Sequence, residues 1–275
     1  MRRRTIALLI AVGLPLALVL YSFLESRRMP VVREATIGLP DWPKGAKPVT
    51  AVLIADIHIG NASMEPERLN DIVDQINALR PDLVLIAGDF IAGHQPNMAD
   101  RVADGMSDAL ARLTPPLGTV AVLGNHDLWT GITVIRDALA RAHVTLLSNE
   151  AVERGPIAIA GIDDHFTGQR DIDQAWGRVR RLPGARVALS HSPDIDYGLP
   201  KDASLLLAGH SHCGQVALPF YGPIVWVTRD RNRCGLIRQG KLNIIVTAGL
   251  GTSGVPFRLS APPDLWMLHL GPVKR

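Results

Sequence analysis

The chain lacks what would make it a disulfide scaffold, a nucleic-acid binder or a disordered segment. Cysteine occurs twice in 275 residues, at Cys213 and Cys234. No framework of bridges therefore shapes the fold, although a single bridge stays open if the domain lies outside the cytoplasm. Charged residues make up 20% against 47% hydrophobic ones, the balance of an ordered globular protein. A basic excess on the body of the chain is missing too. Residues 1–35 hold six arginines against Glu25 and Glu34, and the remaining 23 basic and 24 acidic residues nearly cancel. A protein that displaces counterions from a phosphate backbone carries its positive stripe on the folded domain, so no nucleic-acid partner is expected. There is no internal repeat and no low-complexity stretch.

One segment lacks charge altogether. Thr5 to Leu24 runs 20 residues without a charged side chain, the length a helix needs to cross the hydrocarbon core. It reads as a membrane anchor. A cleaved signal peptide is the competing reading, but the run exceeds the usual apolar core of such peptides and no Ala-x-Ala site follows. Arg2 to Arg4 lean the N-terminus to the cytoplasm, against Arg27, Arg28 and Arg33 beyond the other end. The expectation is a single-pass protein of the inner (cytoplasmic) membrane with its domain periplasmic or extracytoplasmic. The opening Arg-Arg-Arg-Thr-Ile also resembles a twin-arginine export signal. Residues 1–24 are thus anchor, 25–48, rich in Arg, Pro and Gly, a linker, and 49–275 the catalytic domain.

Within that domain, short apolar runs bounded by Gly, Asp or His predict buried strands at 49–55, 83–87, 120–123, 157–161, 187–189 and 205–208. Helical spacing recurs at 66–79, with Pro66 suited to the first turn, and less sharply at 99–113 and 132–142. Beyond residue 213 strands are predicted at 224–228, 236–238, 242–246 and 265–270. Alternating strands and helices give an α/β fold, whose ligands gather at the carboxyl ends of the strands.

Five polar clusters sit where apolar runs stop: Asp56-Ile57-His58, Gly88-Asp89, Gly124-Asn125-His126-Asp127, Ser190-His191 and Gly209-His210-Ser211-His212. Each has an ordinary reading. Asp-x-His and Gly-Asp suit turns, Gly-Asn-His-Asp suits a β-turn, and an isolated His191 suits a core or surface position. Their succession in one chain is what points to metal, because Asp and Asn oxygens mixed with imidazoles suit Mn, Fe or Zn, and one carboxylate can bridge two ions.

That order resembles the calcineurin-like metallophosphoesterase superfamily over about residues 49–275. The ending Gly249 to Gly254, with Pro256, Arg258 and Pro262-Pro263, is similar to its YkuE-type phosphodiesterases. The resemblance implies a four-layer αββα sandwich, here with an N-terminal transmembrane helix. It implies two divalent cations, Mn first with Zn or Fe as alternatives. Asp56, His58 and His212 would hold one, Asn125, His191 and His210 the other, and Asp89 would bridge them. His126 would stay off the metals and act as general acid or charge stabiliser, with Asp127 orienting it. The activity implied is hydrolysis of a phosphodiester or pyrophosphate bond by metal hydroxide, and the tether favours a lipid-linked phosphate ester. Two alternatives stay open: a UDP-2,3-diacylglucosamine pyrophosphatase, which needs a cytoplasmic domain, and a metal-binding sensor or scaffold without turnover.

Four further features carry weaker expectations. His94 reads as a solvated loop residue, with approach to substrate as the other reading. Asp163-Asp164-His165 reads as a turn. Cys213 reads as a small residue tolerated in a tight loop, or else pairs with Cys234 or lies near the metals. Ala217 to Thr228 reads as two core strands around a Gly-Pro turn, or as a lip that meets acyl chains.

Overall fold

The computed structural model describes residues 2–273. The chain begins with helix α1 (Arg2–Arg27). The expected anchor over Thr5 to Leu24 falls partly outside the described residues, since side chains 1–5 and 7–10 are not among them. Among the described residues no helix is long and apolar enough to cross a membrane. The last turns of α1 are docked rather than free. Ser22 O accepts from Arg258 N at 2.9 Å, Ser26 Oγ donates to Pro256 O at 3.0 Å, and Arg68 donates to the carbonyls of Arg27 and Arg28.

The strands are β1 (Val31–Leu39), β2 (Val49–Ile54), β3 (Leu83–Ala87), β4 (Thr119–Val122), β5 (Val144–Leu146), β6 (Glu150–Arg154), β7 (Ile157–Ile162), β8 (Ala185–Ser190), β9 (Leu205–Ala208), β10 (Ala217–Leu218), β11 (Gly222–Pro223), β12 (Gly235–Gln239), β13 (Leu242–Val246) and β14 (Asp264–Pro272). One six-stranded sheet runs β1-β14-β2-β3-β4-β5 and a second runs β12-β13-β9-β8-β7-β6. Their facing sides interdigitate through Ala51, Leu53, Leu85 and Val120 against Ile159, Val187, Leu207 and Ile245. Helices α2 (Pro66–Ala78), α3 (Ala103–Leu110) and α5 (Ile132–Arg141) cover the outer face of the first sheet. Helix α4 (Asn125–Thr130) lies between α3 and α5 in the chain, and α6 (Ile172–Val179) covers the second sheet through Ala175, Trp176 and Val179. The result is the αββα sandwich expected. The parallel strands β2, β3, β4, β8 and β9 are buried on both faces, which is why they read as continuous apolar runs.

Three expectations need correction. Residues 31–39, assigned to a linker, form β1 and pair in parallel with β14; alternate burial of Ala35, Ile37 and Leu39 is a strand signal that the surrounding Arg, Pro and Gly obscured. Residues 224–228 are not a strand. After the two-residue pair β10-β11 the segment leaves the sandwich, and Tyr221, Ile224, Val225 and Trp226 are exposed. Cys213 is not merely a small tolerated residue, since it is joined to Cys234 across 21 residues of chain. Closing a loop of that size removes about 3 kcal/mol of unfolded-state freedom. We therefore expect the Cys213→Ser/Cys234→Ser double variant to melt roughly 6–10 °C lower in calorimetry.

Candidate metal centre

The clusters converge because β2, β3, β4, β8 and β9 all end at one edge of the two packed sheets. The first sheet delivers Asp56, His58, Asp89, Asn125 and His126, and the second delivers His191, His210 and His212. Five of these leave their strands in the left-handed region, with φ of 51° at Asp56, 48° at His58, 57° at Asp89, 67° at His210 and 49° at His212. Non-glycine residues adopt it at a cost of about 1 kcal/mol or more each, and such strain concentrates at functional sites.

Side-chain geometry brings together two donor sets, linked by a third, His58, Asp89 and His126, that shares a member with each. Asp56, His58 and His212 form one, and Asp89, His191 and His210 the other. In the first, His212 Nε2 lies 3.4 Å from Asp56 Oδ1, and the Nε2 atoms of His58 and His212 face each other at 3.2 Å. In the second, His191 Nε2 is 3.2 Å from Asp89 Oδ2 and 3.1 Å from His210 Nδ1. Asp89 Oδ2 also lies 3.5 Å from His58 Nε2, so this carboxylate touches both sets. Asn125 Oδ1 is buried without a protein hydrogen-bond partner, as are His58 Nδ1 and His210 Nε2. Ring nitrogens turned on one another beside an orphaned amide oxygen are poorly satisfied by protein alone, and this donor chemistry fits two divalent cations.

Burial pushes the His58 and His210 imidazoles down to about 3 and holds His212 well below its ordinary value, so all three are neutral and able to ligate. Burial raises the Asp56 carboxyl to about 7, with the nearby Asp89 adding to the rise. Burial opposes ionisation of His191 as well, but the Asp89 carboxylate overrides it, raising His191 and lowering Asp89, so a cation held by His191 would displace its Nε2 proton. His191 Nδ1 donates to Ala87 O at 2.7 Å, which aims its Nε2 inward.

His126 stands at the margin. Its backbone N–H donates to Asp89 Oδ1 at 2.9 Å, its Nδ1 donates to Gly93 O at 2.5 Å, and its Nε2 lies 3.3 Å from Ser253 Oγ. The expected role of Asp127 changes. Its two oxygens accept from the backbone N–H groups of Asp89, Phe90, Ile91 and Gly124. Asp127 thus fixes the loop that carries Asp89, while Gly93 O orients the imidazole. His94 is exposed but not idle, its ring centroid lying 4.6 Å from that of His126. Asp163 and Asp164 hold a turn as expected, bonding Ser148, Asn149 and Thr167. Two residues that the sequence offered only as part of the resemblance, without a role, gain one here. Ser253 touches His126, and Arg258, fully buried, donates to the carbonyls of Ala248, Gly249, Gly251 and Ala261 behind His212.

Gly209 has a reason to be glycine. A Cβ there would lie 2.5 Å from Asp56 Oδ2 and from Ala55 Cβ. We expect Gly209→Ala to displace Asp56 and weaken metal binding about 10–100-fold by isothermal titration, with little change in helix or sheet content.

A two-sheet sandwich bearing this cluster at its strand ends defines a metal-dependent phosphoric ester hydrolase. The calcineurin-like phosphoesterase family model matches residues 49–214, and the chain belongs to that metallophosphoesterase family. An uncharacterized metallophosphoesterase of Aquifex aeolicus is 31% identical over 89% of this chain and 93% of its own length. YkuE of Bacillus subtilis is 29% identical over 86% of this chain and 84% of its own. A zebrafish protein named transmembrane protein with metallophosphoesterase domain is 27% identical over 96% of this chain and 62% of its own.

Proposed function

We propose that the protein is a membrane-anchored phosphoesterase, with its domain on the extracytoplasmic side, that cleaves a phosphodiester or pyrophosphate bond in a lipid-linked substrate. One observation carries the reading. A cavity of about 690 Å³ has Asp89, Asn125, His126, His210 and His212 on one wall and Leu18, Leu218, Ile224, Val225, Val227 and Phe257 on the others. A phosphate group suits the first wall and a hydrocarbon chain the second. The uncharged run through Thr5 to Leu24 supports an anchor, as does the printed name of the zebrafish relative. The Cys213–Cys234 bridge supports an oxidising compartment. That compartment disfavours a cytoplasmic UDP-2,3-diacylglucosamine pyrophosphatase.

Asp56, His58 and His212 would hold one cation, Asn125, His191 and His210 the other, with Asp89 between them. When bound, the pair supplies Lewis acidity that activates water and neutralises phosphoryl charge, manganese being the first choice. The chain's own residues do the rest. His126, held through Nδ1, presents Nε2 to the cavity and as imidazolium donates its proton to the departing oxygen. Ser253 Oγ keeps that nitrogen in line. Asp127 keeps the Asp89 loop in place through its backbone bonds.

The test uses the full chain, because β1 belongs to the sheet and truncation at residue 35 would cut it. Detergent-solubilised protein with added Mn should hydrolyse bis-p-nitrophenyl phosphate, lose the activity to EDTA and regain it with Mn. Tight binding of two cations without hydrolysis of this diester or of a phospholipid and lipid-diphosphate panel would favour the sensor reading.

A further inference from the structure

We propose that the disulfide-closed loop 213–234 is a second membrane contact, whose apolar tip enters the lipid bilayer beside α1 and brings the cavity mouth to the acyl-chain boundary. The proposal rests on the phosphoesterase reading for the identity of what enters the cavity, and on geometry for the contact itself.

An apolar segment that packed into the core would be buried. This one is not: Tyr221 is 75% exposed, Val225 66% and Trp226 53%, with Phe220 fully in solvent. Yet the loop is held in place. Cys213–Cys234 closes its base, β10 pairs with β11, and Val216 bridges Leu259. A braced loop that presents large apolar side chains to water marks an interaction surface.

Its occupant follows from its neighbours. Leu18 and Val19 of α1 line the same cavity as Leu218, Ile224, Val225 and Val227 of the loop, so helix and loop form two sides of one opening. Leu14, Leu16, Leu20 and Tyr21 on α1 are exposed as well, so this stretch of the helix offers apolar side chains all round. Arg229, Arg231 and Arg233 follow the tip in the chain, partly exposed, with Asp196 and Asp230 as their ion-pair partners among the described residues. Arg233 lies over the Trp226 ring at 5.3 Å. An exposed apolar tip joined to an aromatic ring and a cluster of arginines has the composition of a segment at the headgroup level, where Trp, Tyr and Arg concentrate and anionic phosphates attract the cations. A second protein would need no such combination. With the mouth at that level, an amphiphilic phosphoester can slide in from the leaflet, its chain between α1 and the loop and its phosphate toward the metal-ligating wall.

The experiment reads tryptophan fluorescence of the full chain reconstituted into vesicles of phosphatidylcholine and phosphatidylglycerol, with and without phosphatidylcholine brominated on its acyl chains. Wild type should be quenched by the brominated lipid, and Trp226→Phe should lose most of that quenching. Phe220→Ser/Tyr221→Ser, which keeps Trp226, should reduce it and shift the emission to the red. Hydrolysis of bis-p-nitrophenyl phosphate should stay unchanged in these variants, since none of the three side chains lines the cavity. Equal quenching in wild type and Trp226→Phe would overturn the proposal. Quenching does not depend on turnover, so an inactive wild type that still shows the Trp226 signal would sink the enzymatic reading and leave the membrane contact standing.

Discussion

Asp89→Ala is expected to strip the metal centre and leave no measurable turnover, a loss of at least about 10⁴-fold. Its carboxylate lies within reach of both donor sets, 3.5 Å from His58 Nε2 and 3.2 Å from His191 Nε2. Its other oxygen accepts the His126 backbone N–H. Without it, the remaining donors divide between two incomplete sets, and His191 loses the carboxylate beside its buried ring. Elemental analysis of the purified variant should find less than one equivalent of metal. The fold should survive, because Asp127 bonds the backbone at position 89 and does not require its side chain. A variant that retained both cations would show that Asp89 is no bridge.

His126→Ala is expected to lower kcat by about 10²–10⁴-fold while both cations stay bound, the range for loss of a general acid. The separation follows from position. Gly93 O and Ser253 Oγ take the two ring nitrogens of His126, whereas the imidazoles of the two donor sets turn toward carboxylates and one another. A diester with a better leaving group, which needs less help from a proton, should recover much of the lost rate. Metal loss equal to that of Asp89→Ala would instead make His126 a ligand, a reading its nearness to His58 and Asp89 leaves room for.

The candidate centre was legible because five clusters, each ordinary alone, follow one another in one order at strand ends, and because the strands that carry them are buried on both faces. What escaped notice depended on distant pairing or on exposure. Strand β1 finds its partner β14 more than 200 residues later, a match no local window contains. Helix α6 is eight residues long, capped by Asp171, with only Ala175, Trp176 and Val179 facing inward, too short for periodicity to declare itself. The loop at 217–227 misled for the opposite reason. Its composition is that of a core strand, and composition cannot say whether an apolar side chain meets protein or something else. Asp127 was tied to its sequence neighbour, yet three of its four bonds go to residues 36–38 positions earlier.

The two sheets each contribute donor side chains to the same small volume. Residues before position 130 grip from one slab and residues after 190 grip from the other. A cation held there acts as a rivet through the laminate, so removing it should loosen the seam between the slabs first. In hydrogen exchange, chelation should deprotect the amides at the ends of β3 and β8 while leaving those beneath α2 and α6 slow.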